Sequence, residues 1–467
     1  MTNSYSSYRE IDQKWALNIP EHWEDKRLKA IFAIRQERNN PVMTTNILSL
    51  TAKQGVVPLS EKEGAGGNKP KDDMTKYNIA HENDLLVNCM NVVAGSAGVS
   101  RYYGAISPVY YALYPRDEDN VWYYHYIFRL LTFQRSLVGL GKGILMHESE
   151  NGKLNTVRMR ISMDYLGNVL LPVPPKKEQD KIVDYLNWKV SQINRLINLK
   201  HREVRAIEDL KKSVVSTAVT RGLDPNVETK ASGVSWLGNI PKHWELIKLR
   251  QILSSVSVKN HPELPLLSVV REQGVIVRDV EDQTSNRNFI PDDLSGYKVV
   301  RKGQFAMNKM KAWQGSYGVS DYTGIVSPAY FIFDVRFDNL EYFHNAIRSK
   351  VYVNFFAQAS DGIRPGQWDL QMDKMKEIPF IVPPAEEQVK IVSFIKEAQR
   401  KYEKALAVLA KEIEALEEMK THLISDVVTG KIDVRDVEIP DYEFIDEDSD
   451  SDSENDEDTE ETEEQED

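Results

Sequence analysis

The side chains in this sequence best suited to recognising a ligand are polar and basic, and they gather in loops. Arg, Lys, Asn and Gln can hydrogen-bond base edges in the DNA major groove, and Lys and Arg also hold phosphates. In the first half of the chain, Lys53 and Gln54 follow a short β-rich run, and Asn88 ends the run DLLVN. The stretch KEGAGGNKPKDDMTK, Lys62 to Lys76, carries Asn68, Lys69 and Lys71, and the stretch Gly139 to Arg160 carries Lys142, Lys153, Arg158 and Arg160. In the second half, Arg271 and Gln273 occupy a turn between apolar runs, and NKMKAWQGSYG supplies Asn308, Lys309, Lys311, Trp313 and Gln314. SDGIRPGQWDLQ adds Arg364 and Gln367. Taken singly, each is an ordinary solvated loop residue. The binding reading draws its weight from two such sets recurring in matching places.

Signatures of catalysis are missing. The sequence has no Walker-type Gly-Lys-Ser/Thr, no DPPY or NPPF tetrapeptide, no PD-(D/E)xK cluster and no HExxH. With one cysteine, Cys89, neither an internal disulfide nor a thiolate metal cage can form, and the nine histidines read as core or surface residues. The expectation is a non-catalytic chain with no cofactor or metal of its own. The first thirty residues lack a signal-peptide apolar run and no stretch reaches eighteen apolar residues, so a cytoplasmic protein is expected.

The formal net charge of −12 seems to disfavour an anionic ligand. It is concentrated at one end: residues 441 to 467 hold 17 acids and no Lys or Arg, leaving 59 basic against 54 acidic residues before them. The part that folds is mildly basic. The tail is too charged and too poor in large apolar side chains to build a core. A solubilising or spacer role is its simplest reading, with competition for basic surfaces as the alternative.

What positions the loops is a tandem duplication. NIPEHWEDKRLKAI from Asn18 returns as NIPKHWELIKLRQI from Asn239, and LSLTAKQGVV from Leu48 returns as LSVVREQGVI from Leu267. GSAGVSRYYGAISPVY, Gly95 to Tyr110, matches GSYGVSDYTGIVSPAY, Gly315 to Tyr330, at 10 of 16 positions. VPPKKEQDKIV from Val173 matches VPPAEEQVKIV from Val382 at 8 of 11. A period above 200 residues is domain-sized, far beyond a solenoid repeat, and two copies imply a pseudo-twofold plan. Gly95, Gly98 and Gly104 read as turn glycines.

Each copy mixes β-rich runs with helical ones, which gives a mixed α/β (α+β) head. Strands are expected at 47–50, 84–88, 109–113 and 168–173, and in LPLLSVV, GQFAMN, PAYFIF and EIPFIV of the second copy. Helices are expected over 122–137 and 340–358. Each head leads into a long helix without Gly or Pro. Apolar residues recur at three-four spacing at Ile182, Leu186, Ile193, Ile197, Val204, Ile207 and Leu210, and again at Ile391, Ile395, Tyr402, Leu406, Ile413, Leu416 and Met419. A narrow stripe of equal length in both copies predicts an antiparallel coiled coil of fixed span. The expected divisions are an arm at 1–18, a head at 19–175, a helix at 176–222, a linker at 223–239, a head at 240–384, a helix at 385–432 and an acidic tail at 433–467.

The duplicated plan, the IPxHW motif at Ile19–Trp23 and Ile240–Trp244, and the PPxxEQxxI motif at Pro174–Ile182 and Pro383–Ile391 together resemble the specificity subunits of type I restriction-modification systems. The resemblance spans roughly residues 10 to 435. It implies two target-recognition domains, each reading half of a bipartite, asymmetric DNA sequence, with the helices setting the gap. It further implies assembly with two methyltransferase subunits and with restriction subunits, which would carry S-adenosylmethionine, ATP and Mg. A single-chain enzyme fused to its recognition domain would need catalytic motifs this sequence lacks. A coiled-coil scaffold would leave the two heads unexplained.

Overall fold

A computed structural model describes residues 4–446, apart from residue 14 and the stretches 52–54, 63–72, 144–145, 149–153, 157–158, 279–289, 292 and 365–366. The chain divides into two compact units. One takes the described residues up to Lys200 together with those from Lys411 onward; the other is His201–Ala410. Both divisions fall inside a long helix, so each unit is a head plus half of each helix.

In the first unit the head is built on a four-stranded antiparallel sheet in the order Phe32–Ile34, Tyr110–Pro115, Leu85–Asn88, Ala97–Val99. The second head repeats it as Leu253–Val256, Tyr330–Val335, Phe305–Asn308, Tyr317–Val319. Four of these eight strands, Leu85–Asn88, Ala97–Val99, Phe305–Asn308 and Tyr317–Val319, carry mostly buried side chains, which is why their sequences read as near-continuous apolar runs. Leu253–Val256, an edge strand, buries only Leu253. Its counterpart Phe32–Ile34 and the middle strands hold the sheet to the helices behind it.

Each helical run expected as one piece is two. Val121–Arg129 is followed by Leu131–Ser136, and Leu340–Ile347 by Lys350–Gln358. The junctions Leu130 and Ser349 take extended backbone, with ψ of 128° and 154°. In the second head the break has a visible use. Arg348 turns inward and donates to the carbonyls of Tyr317, Arg271 and Glu272, pinning the 271–273 turn to the sheet.

The shared glycine segment also departs from the all-turn expectation. Gly95 and Gly315 do end short 3-10 turns with φ of 82° and 98°. Gly98 and Gly104 instead lie in strands where another backbone comes close. A Cβ on Gly104 would sit 2.7 Å from the Asn46 carbonyl oxygen, and one on its counterpart Gly324 would sit 2.4 Å from that of Pro265.

The long helices run Lys176–Arg221 and Ala385–Val428, 46 and 44 residues. Within the first unit Asn194 accepts from Lys420 and Lys200 pairs with Glu412 at 3.0 Å, so numbers rise on one helix as they fall on the other. Within the second unit Lys211 pairs with Glu403, while Val219 shares a core with Ile391 and Ile395. In each unit the helix halves are therefore antiparallel neighbours. Ile182, Leu186, Ile391 and Ile395 are at most 1% exposed and belong to the cores of the heads. Ile193 and Ile197 are also buried, and Val204, Ile207, Tyr402, Leu406, Ile413 and Leu416 are half-buried. Leu210 and Met419 do not seat: they stand 53% and 49% exposed. A straight helix drifts about 20° per heptad against a seven-residue repeat, which carries such positions to the edge of the stripe. Leu409, outside the expected stripe, is buried instead.

Candidate nucleic-acid interface

The base of each head is where its two repeated motifs meet. The strand after the His-Trp pair, Glu24–Arg27, is antiparallel to Leu170–Val173, the strand before the double proline. Glu245–Lys248 and Pro379–Val382 repeat this in the second head. The pairing brings Trp23 and His22 to the first turn of the long helix. There Glu178 accepts from Trp23 Nε1 at 3.0 Å and lies 2.9 Å from His22 Nε2. Glu387 accepts from Trp244 Nε1 at 2.8 Å and lies 2.6 Å from His243 Nε2. The following glutamine closes the turn by donating to the first proline's carbonyl, Gln179 to Pro174 and Gln388 to Pro383.

The far end of the other helix completes each base. Tyr123 donates to the Val428 carbonyl and Tyr342 to that of Val219. Gly430 ends one helix against Pro20 and Trp23, where a Cβ would lie 2.4 Å from the proline ring. Gly222 ends the other against Trp244. A strand at the start of each copy also pairs with its IP dipeptide, Tyr8–Glu10 with Asn18–Pro20 and Thr229–Ala231 with Asn239–Pro241. In it Arg9 and Lys230 donate to the carbonyls of Trp23 and Trp244.

Among the described residues, the expected DNA-contacting positions fall in loops, at strand ends and in hairpins of the heads. In the second head Lys309, Lys311, Trp313 and Gln314 follow the strand Phe305–Asn308, and this loop meets the hairpin Ser360–Arg364/Gln367–Leu370. Lys309 Nζ is 3.2 Å from an Asp369 carboxylate oxygen, and Leu370 N donates to the Lys309 carbonyl. Trp313 stacks on Trp368 with ring centroids 5.5 Å apart. Arg364 and Gln367 have described backbone in the hairpin; their side chains lie outside the described residues. Arg271 and Gln273 are exposed on the turn that Arg348 holds.

Asn308 and its counterpart Asn88 have local structural partners. Each accepts from the backbone two residues on, Asn308 from Met310 and Asn88 from Met90, and Asn88 is buried. A side-chain oxygen already shaping its own turn is poorly free to read a base edge. In the first head Arg160 is exposed in a strand paired with Lys142, and it approaches the buried thiol of Cys89 and the hydroxyl of Tyr111. Burial raises the Cys89 pKa, and Arg160 opposes that rise. Lys53, Gln54, Asn68, Lys69, Lys71, Lys153 and Arg158 lie outside the described residues, as does the side chain of Lys142.

The loop and hairpin positions correspond between heads, but the side chains differ. Ile161 N donates to the Cys89 carbonyl as Leu370 N does to that of Lys309. The Cys89/Arg160 pair thus becomes Lys309/Asp369. Sequence reasoning missed Arg348, Trp368 and Asp369. The tryptophan and aspartate were in view within QWDLQ, but their partners lie more than fifty residues away, and no local signal announces the pairing.

Among the described residues no group of His, Cys, Asp and Glu could hold a metal ion, and no helix is long and apolar enough to cross a membrane.

Residues 20–206 match the family model of the type I restriction modification DNA specificity domain. The chain is 22% identical over 444 residues to the type I restriction enzyme MjaVIII specificity subunit of Methanocaldococcus jannaschii, covering 90% of this chain and 95% of that one. Among solved structures, a chain from work on complex assembly and conformational transition of the type I R-M system matches with a TM-score of 0.59 at 12% identity, over 89% of this chain and 99% of that one. The HsdS subunit of Thermoanaerobacter tengcongensis matches more loosely, with a TM-score of 0.44 at 12% identity over 89% and 98%. The first copy thus matches a type I restriction modification DNA specificity domain, and the chain as a whole is similar over nearly its full length to a type I restriction enzyme specificity subunit.

Proposed function

We propose that this chain gives a type I restriction-modification complex its DNA sequence specificity, each head reading one half of a bipartite, asymmetric target. The observation that carries this reading is the contrast within each head. The base repeats its histidine, tryptophan, glutamate and glutamine in the same bonds while the loops differ, as two copies of one scaffold adapted to two different half-sites would require. At 1.5 Å per residue the long helices measure roughly 65–70 Å, which suits a spacer between half-sites.

On this reading the chain does no chemistry. Two methyltransferase subunits would dock along the helices and their flanks, and restriction subunits would join them. S-adenosylmethionine, ATP and Mg belong to those partners, and the complex works in the cytoplasm. The test is selection of bound fragments from random duplex DNA by the chain with its methylating partner at moderate salt. Two short motifs at constant spacing are expected; a single motif, or none, overturns the proposal.

A further inference from the structure

The two bases share a tryptophan, a histidine and a carboxylate, and they differ in what covers that carboxylate. In the first unit Tyr5 lies over it: its hydroxyl donates to Glu178, and its ring meets Trp23 edge-on at 5.8 Å and His22 at 5.5 Å. Arg435 closes the stack from outside, 4.8 Å from the Tyr5 ring centre. Glu178 is left 6% exposed. Burial, then the bond to Glu178, pushes the Tyr5 phenol far above its usual range.

In the second unit the same register places no aromatic residue there. Counting back from the strand paired with the IP dipeptide, Tyr5 corresponds to Asn226, which is exposed. Glu387 is 36% exposed and opens on a cavity of about 320 Å3 lined by Arg221, Val227, Pro241, His243, Lys390 and Ile391 among others. The undescribed end of the chain, residues 447–467, contains no aromatic residue that could supply the plug.

We infer that the cavity beside Glu387 is a docking pocket for a tyrosine side chain of a partner polypeptide, whose hydroxyl donates to Glu387, the acceptor of Trp244 Nε1, and whose ring packs against His243. The occupant is argued from the chain itself. Tyr5 shows which side chain bonds this carboxylate beside this His-Trp pair, and Arg221 and Lys390 at the rim, set against Asp224, offer cations to polar groups flanking the tyrosine. Only the partner's nature rests on the function proposed above, under which a methylating subunit would present it.

The test uses the full chain labelled with 5-fluorotryptophan, whose eight indole signals are followed by fluorine NMR, with Trp244 assigned through Trp244→Phe. N-acetyl-L-tyrosinamide should shift the Trp244 signal saturably at millimolar concentrations and leave that of Trp23 unmoved. N-acetyl-L-phenylalaninamide should bind at least threefold more weakly, and Glu387→Gln should erase that preference. Val227→Phe, which narrows the cavity, should block the probe and weaken assembly with the methylating subunit at least fivefold, with DNA affinity and melting temperature unchanged. The pocket assignment falls if Trp244 does not respond, if Trp23 responds equally, or if the phenyl analogue binds as well. The partner assignment falls if Val227→Phe leaves assembly intact, or if it instead dissociates a dimer of this chain. Loss of bipartite DNA selection by the unaltered chain would sink the functional reading while leaving the probe result standing.

Discussion

The base of each head and its loops obey different rules. At the base, Trp23 and Trp244 are buried at 1% and 0% exposure and bonded to Glu178 and Glu387 by the same atoms, so the two copies are interchangeable in kind. At the loops, equivalent backbone carries Cys89, Val93 and Arg160 in one head and Lys309, Trp313 and Asp369 in the other. The difference teaches where the duplication was held and where it was free: the buried, fully bonded junction tolerates little, while exposed positions can change what they recognise.

The strongest way to break this comparison is at the tryptophans. Trp23→Ala and Trp244→Ala should each destabilise their unit by about 3–5 kcal/mol, from lost burial and the cavity left behind. Both would be read as denaturant midpoints of separate transitions. Near-neutral outcomes would mean the repeated base does not hold the helix to the head. The carboxylates should separate the two copies: Glu178→Ala leaves Trp23 Nε1 and the Tyr5 hydroxyl buried without an acceptor and should cost about 2–4 kcal/mol. Glu387→Ala, with water nearer at hand, should cost less.

A second set sharpens the comparison at the loops. Lys311→Ala or Gln314→Ala should relax the base preference of one half-site by about 1–3 kcal/mol, if either contacts a base edge, and leave the other half-site and overall stability untouched. Equal loss at both half-sites would break the one-head, one-half-site assignment. Substitution at Asn308 should act differently. It disrupts the turn that accepts Met310 N, so it should lower stability alongside DNA binding.

Acid should act on both heads alike through a half-buried histidine in each. Burial, then the nearby Arg129, lowers the His125 pKa to about 3, and burial, then Arg348, lowers that of His344 to about 4. Unfolded, both groups titrate near 6.5. The folded state therefore binds fewer protons than the unfolded one between those limits. Stability is fully present above about pH 6.5 and falls as pH drops toward 4, by about 2 kcal/mol per histidine at pH 5. His125→Gln or His344→Gln should flatten the melting temperature between pH 6.5 and 5; a slope unchanged in the double variant would remove these groups from the account.

What the sequence yielded follows from which signals are local. The repeats, the strand runs and the three-four stripe are written in neighbouring residues, so the heads and helices were legible down to the strand Phe305–Asn308 within GQFAMN. The breaks at Leu130 and Ser349 were not, because nothing local forbids a continuous helix over 122–137. The break is made by tertiary contacts such as Arg348 reaching the 271–273 turn. For the same reason the turn bonds of Asn88 and Asn308 were not legible. An amide in a loop has the same composition whether it faces DNA or caps its own turn, and only the bonds to Met90 and Met310 tell them apart.

The smallest expected effect concerns the segment that leads into the acidic tail. Ser191 donates to the Glu443 carbonyl and accepts from Ile445 N, and Asn194 donates to the Ile445 carbonyl, so this stretch is laid against the first half of a long helix. It ends with Asp446 4.0 Å from Arg101, an exposed arginine whose counterpart in the second head is Asp321. Each of these hydrogen bonds contributes about 0.5–1.5 kcal/mol locally. Ser191→Ala should therefore speed amide exchange at Ile445 several-fold without changing global stability. If the tail merely solubilises, DNA affinity at low salt should not move in this variant or in one ending at Asp446. If it competes for the basic side of the first head, removing it should tighten non-specific binding, and the gain should fade as salt rises. A gain in one head's half-site alone would place the tail on the side of the comparison where the two heads differ.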